Sequence, residues 1–367
     1  MKQHEFPRLH AELERGFDRN LQIGFQICIC RHGQIVTDFA VGESRPGLPM
    51  TTATINRWLS SGKPITAVAL AILRERGLLD WDDPVQKHIP SFASPSISIR
   101  HLLKHTSGLP KVETGWPLRS WRQIIDSVAG TRPEHAPDEQ AAYQPAATWF
   151  LLGEIIARTS GMPFFDFVRS SVCEPLGMNH SWNGMPEDTF EDYGDRIGMM
   201  WSRRRAKLEP LSSHDKTFCC RPSPGGNFRG PIRELTYFYR MLLRQGTIDN
   251  VTLLKPETVR QLTGRHRAGM LDHTFQHTLD FGFGFLVDSN RYGPETVPYG
   301  YGRYSSPAAF GHGGAETSCA FADPVYDLAV AWMANVRVGE GRHQTRNRAI
   351  NSAIYEDLGI AKVTNWE

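Results

Sequence analysis

Apolar positions recur at helical spacing near the start of the chain. Phe6, Leu9, Leu13 and Phe17 lie three or four residues apart and predict a helix over residues 5–18. The run that follows, FQICICRHGQIVTDFAVG, holds two β-rich stretches on either side of Arg31-His32-Gly33-Gln34 and predicts a hairpin. Towards the other end, 317–322 and 328–334 read as two strands joined around Asp323-Pro324, and a last helix is predicted over 342–357. Strands and helices at both chain ends predict one mixed lobe, with its antiparallel sheet assembled from the two termini.

The middle of the chain has a different period. From Ile65 to about Leu176 the apolar spacing is helical, as in Ile65-Val68-Ala69-Ile72 and Phe150-Leu151-Ile155-Ile156. The predicted fold class is therefore α+β. A mixed lobe spans 1–64 and 220–367, with a central antiparallel sheet flanked by helices. A mainly helical lobe, 65–219, is inserted into it, and the active site is expected where the two meet. Residues 274–287 return to a strand-like pattern, in which Phe281, Phe283 and Phe285 alternate with glycines. That alternation lacks the spacing of a dinucleotide-binding loop.

Length and charge narrow the function classes. A chain of 367 residues, 40% of them apolar, exceeds the usual size of a single core and agrees with two lobes. A formal net charge of +2 gives no reason to expect nucleic acid or an anionic membrane as partner. The one basic run, Arg203-Arg204-Arg205, reads as a solvated loop. No stretch approaches the roughly 18 apolar residues of a membrane span. Residues 1–18 are charged and lack the apolar centre of a secretory signal, so the expected location is cytoplasmic. The cysteines, Cys28 and Cys30 on one strand face, Cys219 beside Cys220, and Cys173 and Cys319 alone, read as small buried hydrophobes. His273 and His277 would share a helix face, but no third metal ligand accompanies them. Neither a metal nor a cofactor is predicted.

The chemistry sits in Asn56-Arg57-Trp58-Leu59-Ser60-Ser61-Gly62-Lys63-Pro64-Ile65-Thr66. Pro64 is tolerated in a first helical turn, and Ser60 and Lys63, three residues apart, share a helix face. A serine hydroxyl is a poor nucleophile until a base takes its proton, and a desolvated lysine is such a base. Taken alone, this spacing is better read as a capping serine followed by a solvated lysine. Other phrases follow in order: Ile99-Arg100-His101-Leu102-Leu103-Lys104-His105-Thr106-Ser107-Gly108-Leu109-Pro110, then Tyr143-Gln144-Pro145, Leu151-Leu152-Gly153-Glu154 and Glu174-Pro175-Leu176-Gly177-Met178. Pro224-Gly225-Gly226 and Phe310-Gly311-His312-Gly313-Gly314-Ala315 complete the set. In this combination the chain resembles the class C β-lactamase-like serine hydrolases, over about Ile23 to Leu358. That family includes carboxylesterases, D-aminopeptidases, D,D-peptidases, amide hydrolases and transacylases.

The resemblance implies Ser60 as the acylated nucleophile, Lys63 as its base or base partner and Tyr143 as a second proton-handling group, and leaves open which of the two is the primary base in each half-reaction. It implies an oxyanion hole from the N–H groups of Ser60 and Ala315, and substrate contacts from His312, Gly313, Gly314 and Gln144. Two positions depart from the β-lactamase pattern. Pro145 stands where an asparagine would offer its amide, and His312 where a lysine would hold a substrate carboxylate. Both argue against β-lactam or peptidoglycan substrates. His101 and His105 read as structural, and Trp58, Trp116 and Trp149 as cleft walls or lobe-interface packing. The expected function is acyl-enzyme hydrolysis of an ester or amide of a small metabolite. Transfer of the acyl group to an amine or alcohol acceptor, and a catalytically inactive binding module, are the alternatives. The oligomeric state is left open.

Overall fold

In the computed structural model, which describes residues 6–204 and 207–362, both chain ends enter one sheet. Helix α1 (Pro7–Asp18) precedes strands β1 (Gly24–Arg31) and β2 (Gln34–Arg45), joined by the predicted turn at His32-Gly33. Glu5, the first residue of the predicted helix, and Arg205 of the arginine run lie outside the described residues. From the other end come β3 (Phe310–Gly314), β4 (Ser318–Asp323) and β5 (Leu328–Ala334). These long strands run in the order β3-β4-β5-β1-β2, each antiparallel to its neighbour. Short strands Asp280–Phe281 and Leu286–Val287 extend the β3 edge, and Leu48–Pro49 the other edge, giving eight strands.

Strands β3, β4, β5 and β1 are buried on both faces, while β2 is mostly half-buried or exposed, which explains why β1 and β5 read as nearly continuous apolar runs. Phe25, Ile27 and Ile29 of β1 join a core with Leu9 and Leu13 of α1 and with Ile350 and Ile354 of the last helix, Glu340–Asp357. Cys28 and Cys30 point the other way, into a core with Ile232, Leu235 and Tyr239 of the helix Ile232–Leu243.

The second helix, α2 (Lys63–Glu75), carries the first motif. Every residue from Lys63 to Leu73 is buried, so the helix is apolar all round and sits inside the molecule. It packs against the helix Ala147–Ser160 and close to β3, which brings the phrases around residues 60, 145 and 312 to one place.

Three expectations change. Arg203 is not in a solvated loop. It ends a strand, Met200–Arg204, that pairs with Lys207–Leu211 and, in parallel, with Val336–Arg337, and its Nη1 donates to Arg19 O at 2.6 Å. The stretch assigned to a helical lobe, 65–219, thus contains a hairpin bonded to the carboxyl-terminal part of the chain. Residues 274–287 form no continuous strand. A tight turn, with Gly282 N–H donating to Phe285 O at 2.9 Å, separates two short strands, while all three phenylalanines are buried. His273 lies in the turn between Leu271–Asp272 and His277–Thr278, so the histidine pair shares no helix face. No helix among the described residues is long and apolar enough to cross a membrane.

Candidate active site

Ser60 lies in a 3-10 turn, Leu59–Gly62, that leads directly into α2. The preceding Leu59 is held at φ +52°, a left-handed conformation that a branched side chain rarely adopts. Lys63 Nζ is 2.9 Å from Ser60 Oγ, 2.8 Å from Pro145 O and 2.5 Å from Gly225 O. Carbonyls can only accept. A neutral amine therefore spends both N–H bonds on them and is left with one lone pair, towards the Ser60 hydroxyl. Burial, and then the like charge of Arg57, hold the Lys63 pKa well below its ordinary value, which favours that neutral form. Arg57 is itself fixed by Nε donation to Gly226 O at 2.8 Å.

Tyr143 completes the group. Its hydroxyl hydrogen-bonds Ser60, and its ring lies 5.3 Å from Lys63 Nζ. Burial pushes its pKa up, against the pull of the Ser60 hydrogen bond, so the phenol keeps its proton at neutral pH. Its backbone is clamped by residues that motif reading missed. Asp272 Oδ1 accepts from the N–H groups of Tyr143 (3.1 Å), Thr274 (2.9 Å) and Phe275 (3.1 Å). Thr274 Oγ1 donates to Tyr143 O at 3.0 Å. Asp272 Oδ2 forms a fully buried ion pair with Arg267 Nη2 at 3.0 Å. Asp272 lies 129 residues from Tyr143 along the chain, and no local pattern announces the contact.

That pair gives a stability prediction. Arg267→Met leaves the Asp272 charge buried without a cation, and is expected to cost about 3–5 kcal/mol. Urea unfolding of the variant beside the parent measures it, and a loss below about 1 kcal/mol would contradict a buried pair.

The β3 edge forms the opposite side. Ser61 Oγ donates to His312 O (3.1 Å) and meets Ser318 Oγ (2.9 Å), tying the nucleophile turn to β3 and β4. His312 is buried, and its Nδ1 faces the Gly313 carbonyl at 2.7 Å, so Nδ1 carries the hydrogen. Burial, and then Lys63, lower the His312 pKa to about 3, so the ring is neutral. A β-carbon on Gly313 would lie 2.2 Å from Tyr299 Cδ1, so only glycine lets that ring approach the strand.

Ser60, Tyr143, His312, Gly313 and Ala315 line one cleft of about 730 Å³. Two of the substrate contacts implied by the resemblance lie elsewhere. Gln144 is buried, with Nε2 donating to Leu109 O at 2.7 Å, so its side chain secures a loop and faces away from the cleft. Gly314 packs against the Trp58 carbonyl, which a β-carbon would approach to 2.4 Å. The tryptophans are not the walls. Trp58 and Trp149 are fully buried, and Trp116 stacks on Arg57. Phe275, Leu286, Pro298 and Tyr299 form the walls instead. His105 is structural, as expected: Nδ1 accepts from Gln144 N at 3.1 Å, and its ring packs 4.6 Å from that of Tyr143.

Comparison with known proteins bears on the family and the fold. The family model described as Beta-lactamase matches residues 12–354. Penicillin-binding protein 4* of Bacillus subtilis is 33% identical over 153 residues, 39% of this chain and 34% of that protein. Esterase EstB of Burkholderia gladioli is 31% identical over 199 residues, 46% of this chain and 50% of that one. The matched segments thus span half or less of these two relatives. Among solved structures, EstCE1, a hydrolase with promiscuous acyltransferase activity, superposes with a TM-score of 0.82 at 21% identity, covering 95% of this chain and 98% of that one. At that identity the likeness speaks for the fold alone.

Proposed function

The chain belongs to the Beta-lactamase family of serine hydrolases, and from that premise we propose that it cleaves an ester, or an amide, of a small metabolite through an acyl-enzyme on Ser60. The observation that carries this reading is the Lys63 amine, held by two carbonyls with its remaining valence towards Ser60 Oγ. In the first half-reaction the Ser60 proton passes to Lys63 while Oγ attacks the carbonyl carbon. The N–H groups of Ser60 and Ala315 receive the oxyanion. Tyr143, protonated and bonded to Ser60, hands a proton to the leaving group and recovers one from the water that attacks the acyl-enzyme. As the acid departs, Ser60 Oγ takes back the proton held by Lys63, and both groups return to their starting forms. His312 and Gly313 border the substrate, and the cytoplasmic placement belongs to the same reading.

Hydrolysis, rather than transfer to an acceptor, is supported by the cleft mouth. Lys111, Thr274, Gln276, Thr296 and Glu340 are all exposed around it, so water reaches the acyl-enzyme freely. A transacylase must hold its acceptor well enough to outcompete that water. Partitioning tests this. With a model aryl ester and a panel of amines and alcohols, acid is expected to remain the main product throughout. Saturable diversion to one acceptor, with total turnover rising, would make the protein a transacylase. An inactive binding module is disfavoured by the intact contacts among Ser60, Lys63 and Tyr143. Labelling of Ser60 by a fluorophosphonate, read by mass spectrometry, separates it from an enzyme.

Substrate range follows from the neutral His312 and from Pro145. Neither supplies the cation or the side-chain amide that β-lactam recognition uses, so short-chain aryl esters should turn over and penicillins and cephalosporins should be poor substrates. Efficient nitrocefin turnover would overturn this.

A further inference from the structure

Three charged side chains line the cleft, and they differ in whether their charge is already matched. Arg337 Nη2 donates to Glu316 Oε1 at 2.8 Å. Lys111 Nζ lies 3.5 Å from Glu113. Glu340 has neutral partners only: the Tyr299 hydroxyl, 2.7 Å from each carboxylate oxygen, and Gln344 Nε2 at 3.3 Å. Among the described residues it makes no ion pair. His277 makes no contact with it either, since its ring nitrogens face Thr278 O (2.8 Å) and Thr296 Oγ1 (3.1 Å). Arg337 and its partner Glu316 act on Glu340 at longer range with opposite signs, Glu316 the more strongly, so that pair supplies Glu340 with no net cation and its carboxylate is left without a bonded counter-charge.

Its position relative to the reacting atoms is fixed by Tyr299. That ring lies against Gly313 on the β3 edge, and its hydroxyl reaches Glu340, so the carboxylate sits one phenol ring away from the strand beside Ser60. Glu340 is close enough to Tyr143 for its charge to push the Tyr143 pKa up. Between them stands an aromatic wall, with Phe275 4.8 Å from the Tyr143 ring and 5.6 Å from that of Tyr299. Glu340 is exposed at the cleft mouth, but partial desolvation of its carboxylate raises its pKa, while its place in the first turn of the helix Glu340–Asp357 favours the ionised form. An ammonium at this point would meet a carboxylate at one end and ring faces along its side, a combination that suits a cation with an aryl or short alkyl spacer.

We propose that Glu340 anchors a positively charged nitrogen, so that this site takes esters or amides carrying an ammonium group about one ring length from the scissile carbonyl. The proposal rests on the acyl-enzyme reading of Ser60.

Benzylammonium and benzyl alcohol, matched in shape and different in charge, test it as competitive inhibitors of neutral aryl ester hydrolysis at pH 7. Benzylammonium is expected to bind about tenfold more tightly. Glu340→Gln keeps an acceptor for Tyr299 and should bring the ratio of the two inhibition constants to about one. Equal inhibition by both probes in the parent, or an unchanged ratio in Glu340→Gln, overturns the proposal. The same two probes are titrated into Ser60→Ala protein by calorimetry, which needs no turnover. Ammonium preference there, with no esterase activity in the parent, would sink the acyl-enzyme reading and leave the Glu340 site standing. No preference there, with an active parent, would do the reverse.

Discussion

Ser60→Ala is expected to lower kcat for an aryl ester by about four orders of magnitude or more, with the melting temperature nearly unchanged. Ser60 Oγ bonds Lys63 and Tyr143, and both bonds belong to the chemistry rather than to the core. The adjacent Ser61 is the natural control. It is fully buried, and its hydroxyl joins the nucleophile turn to His312 O and Ser318 Oγ. Ser61→Ala should cost about 1 kcal/mol of stability and leave most of the turnover. Fluorophosphonate should add mass to the parent and to Ser61→Ala, but not to Ser60→Ala. If Ser61→Ala is the dead variant and Ser60→Ala stays active, the nucleophile has been assigned to the wrong serine.

Lys63→Ala and Tyr143→Phe should each lower kcat by about three orders of magnitude, and the double variant by little more. Both proton transfers belong to one catalytic cycle around Ser60, so once either group is gone the cycle stalls and losing the other costs little more. Independent, multiplicative losses would show that they act at separate steps. The pH profile gives a second reading. Lys63 must be neutral to accept the Ser60 proton, so activity should fall as pH drops through its lowered pKa and be level above it. Because burial, and then Arg57, hold that pKa well below the ordinary lysine range, the level region should begin well below the pH at which an ordinary lysine loses its proton. Tyr143, with its pKa raised, should add no alkaline loss near neutrality. An activity that climbs steadily from pH 7 to 10 would contradict a neutral Lys63.

Much of this was legible in residue order. Strands β1, β4 and β5 announce themselves because both of their faces are covered, which makes their apolar runs long. Helix α2 was readable for the same reason. Ser60, Lys63 and Tyr143 stand out because the motifs around them are local in sequence. What stayed hidden depends on distance or direction. The hairpin of Met200–Arg204 and Lys207–Leu211 is rich in charge, and its pairing with Val336–Arg337 joins residues 135 apart in the chain. Asp272 and Arg267 clamp Tyr143 from another element, through backbone bonds that no spacing reveals. Gln144 is next to Tyr143 in sequence, yet its side chain turns to Leu109 O, because neighbouring residues of an irregular segment need not share a face. Glu340 lies just outside the helix predicted over 342–357, and only the fold brings it to the hydroxyl of Tyr299, whose ring lies against Gly313.

The order of strands in the sheet also governs how the molecule can be made. Phe25 of β1 pairs with Ala334 of β5, and Arg31 with Leu328, a separation of about 300 residues. At translation speeds of about 5–20 residues per second, β1 leaves the ribosome roughly 15–60 s before its inner neighbour exists. Through that interval the β1–β2 hairpin has one open edge, formed by a run of aromatic, β-branched and cysteine residues. Such an edge is a template for pairing with other chains. High contact order of this kind slows folding, so overproduction at low temperature or with added chaperones should raise the soluble yield more than any change to the surface.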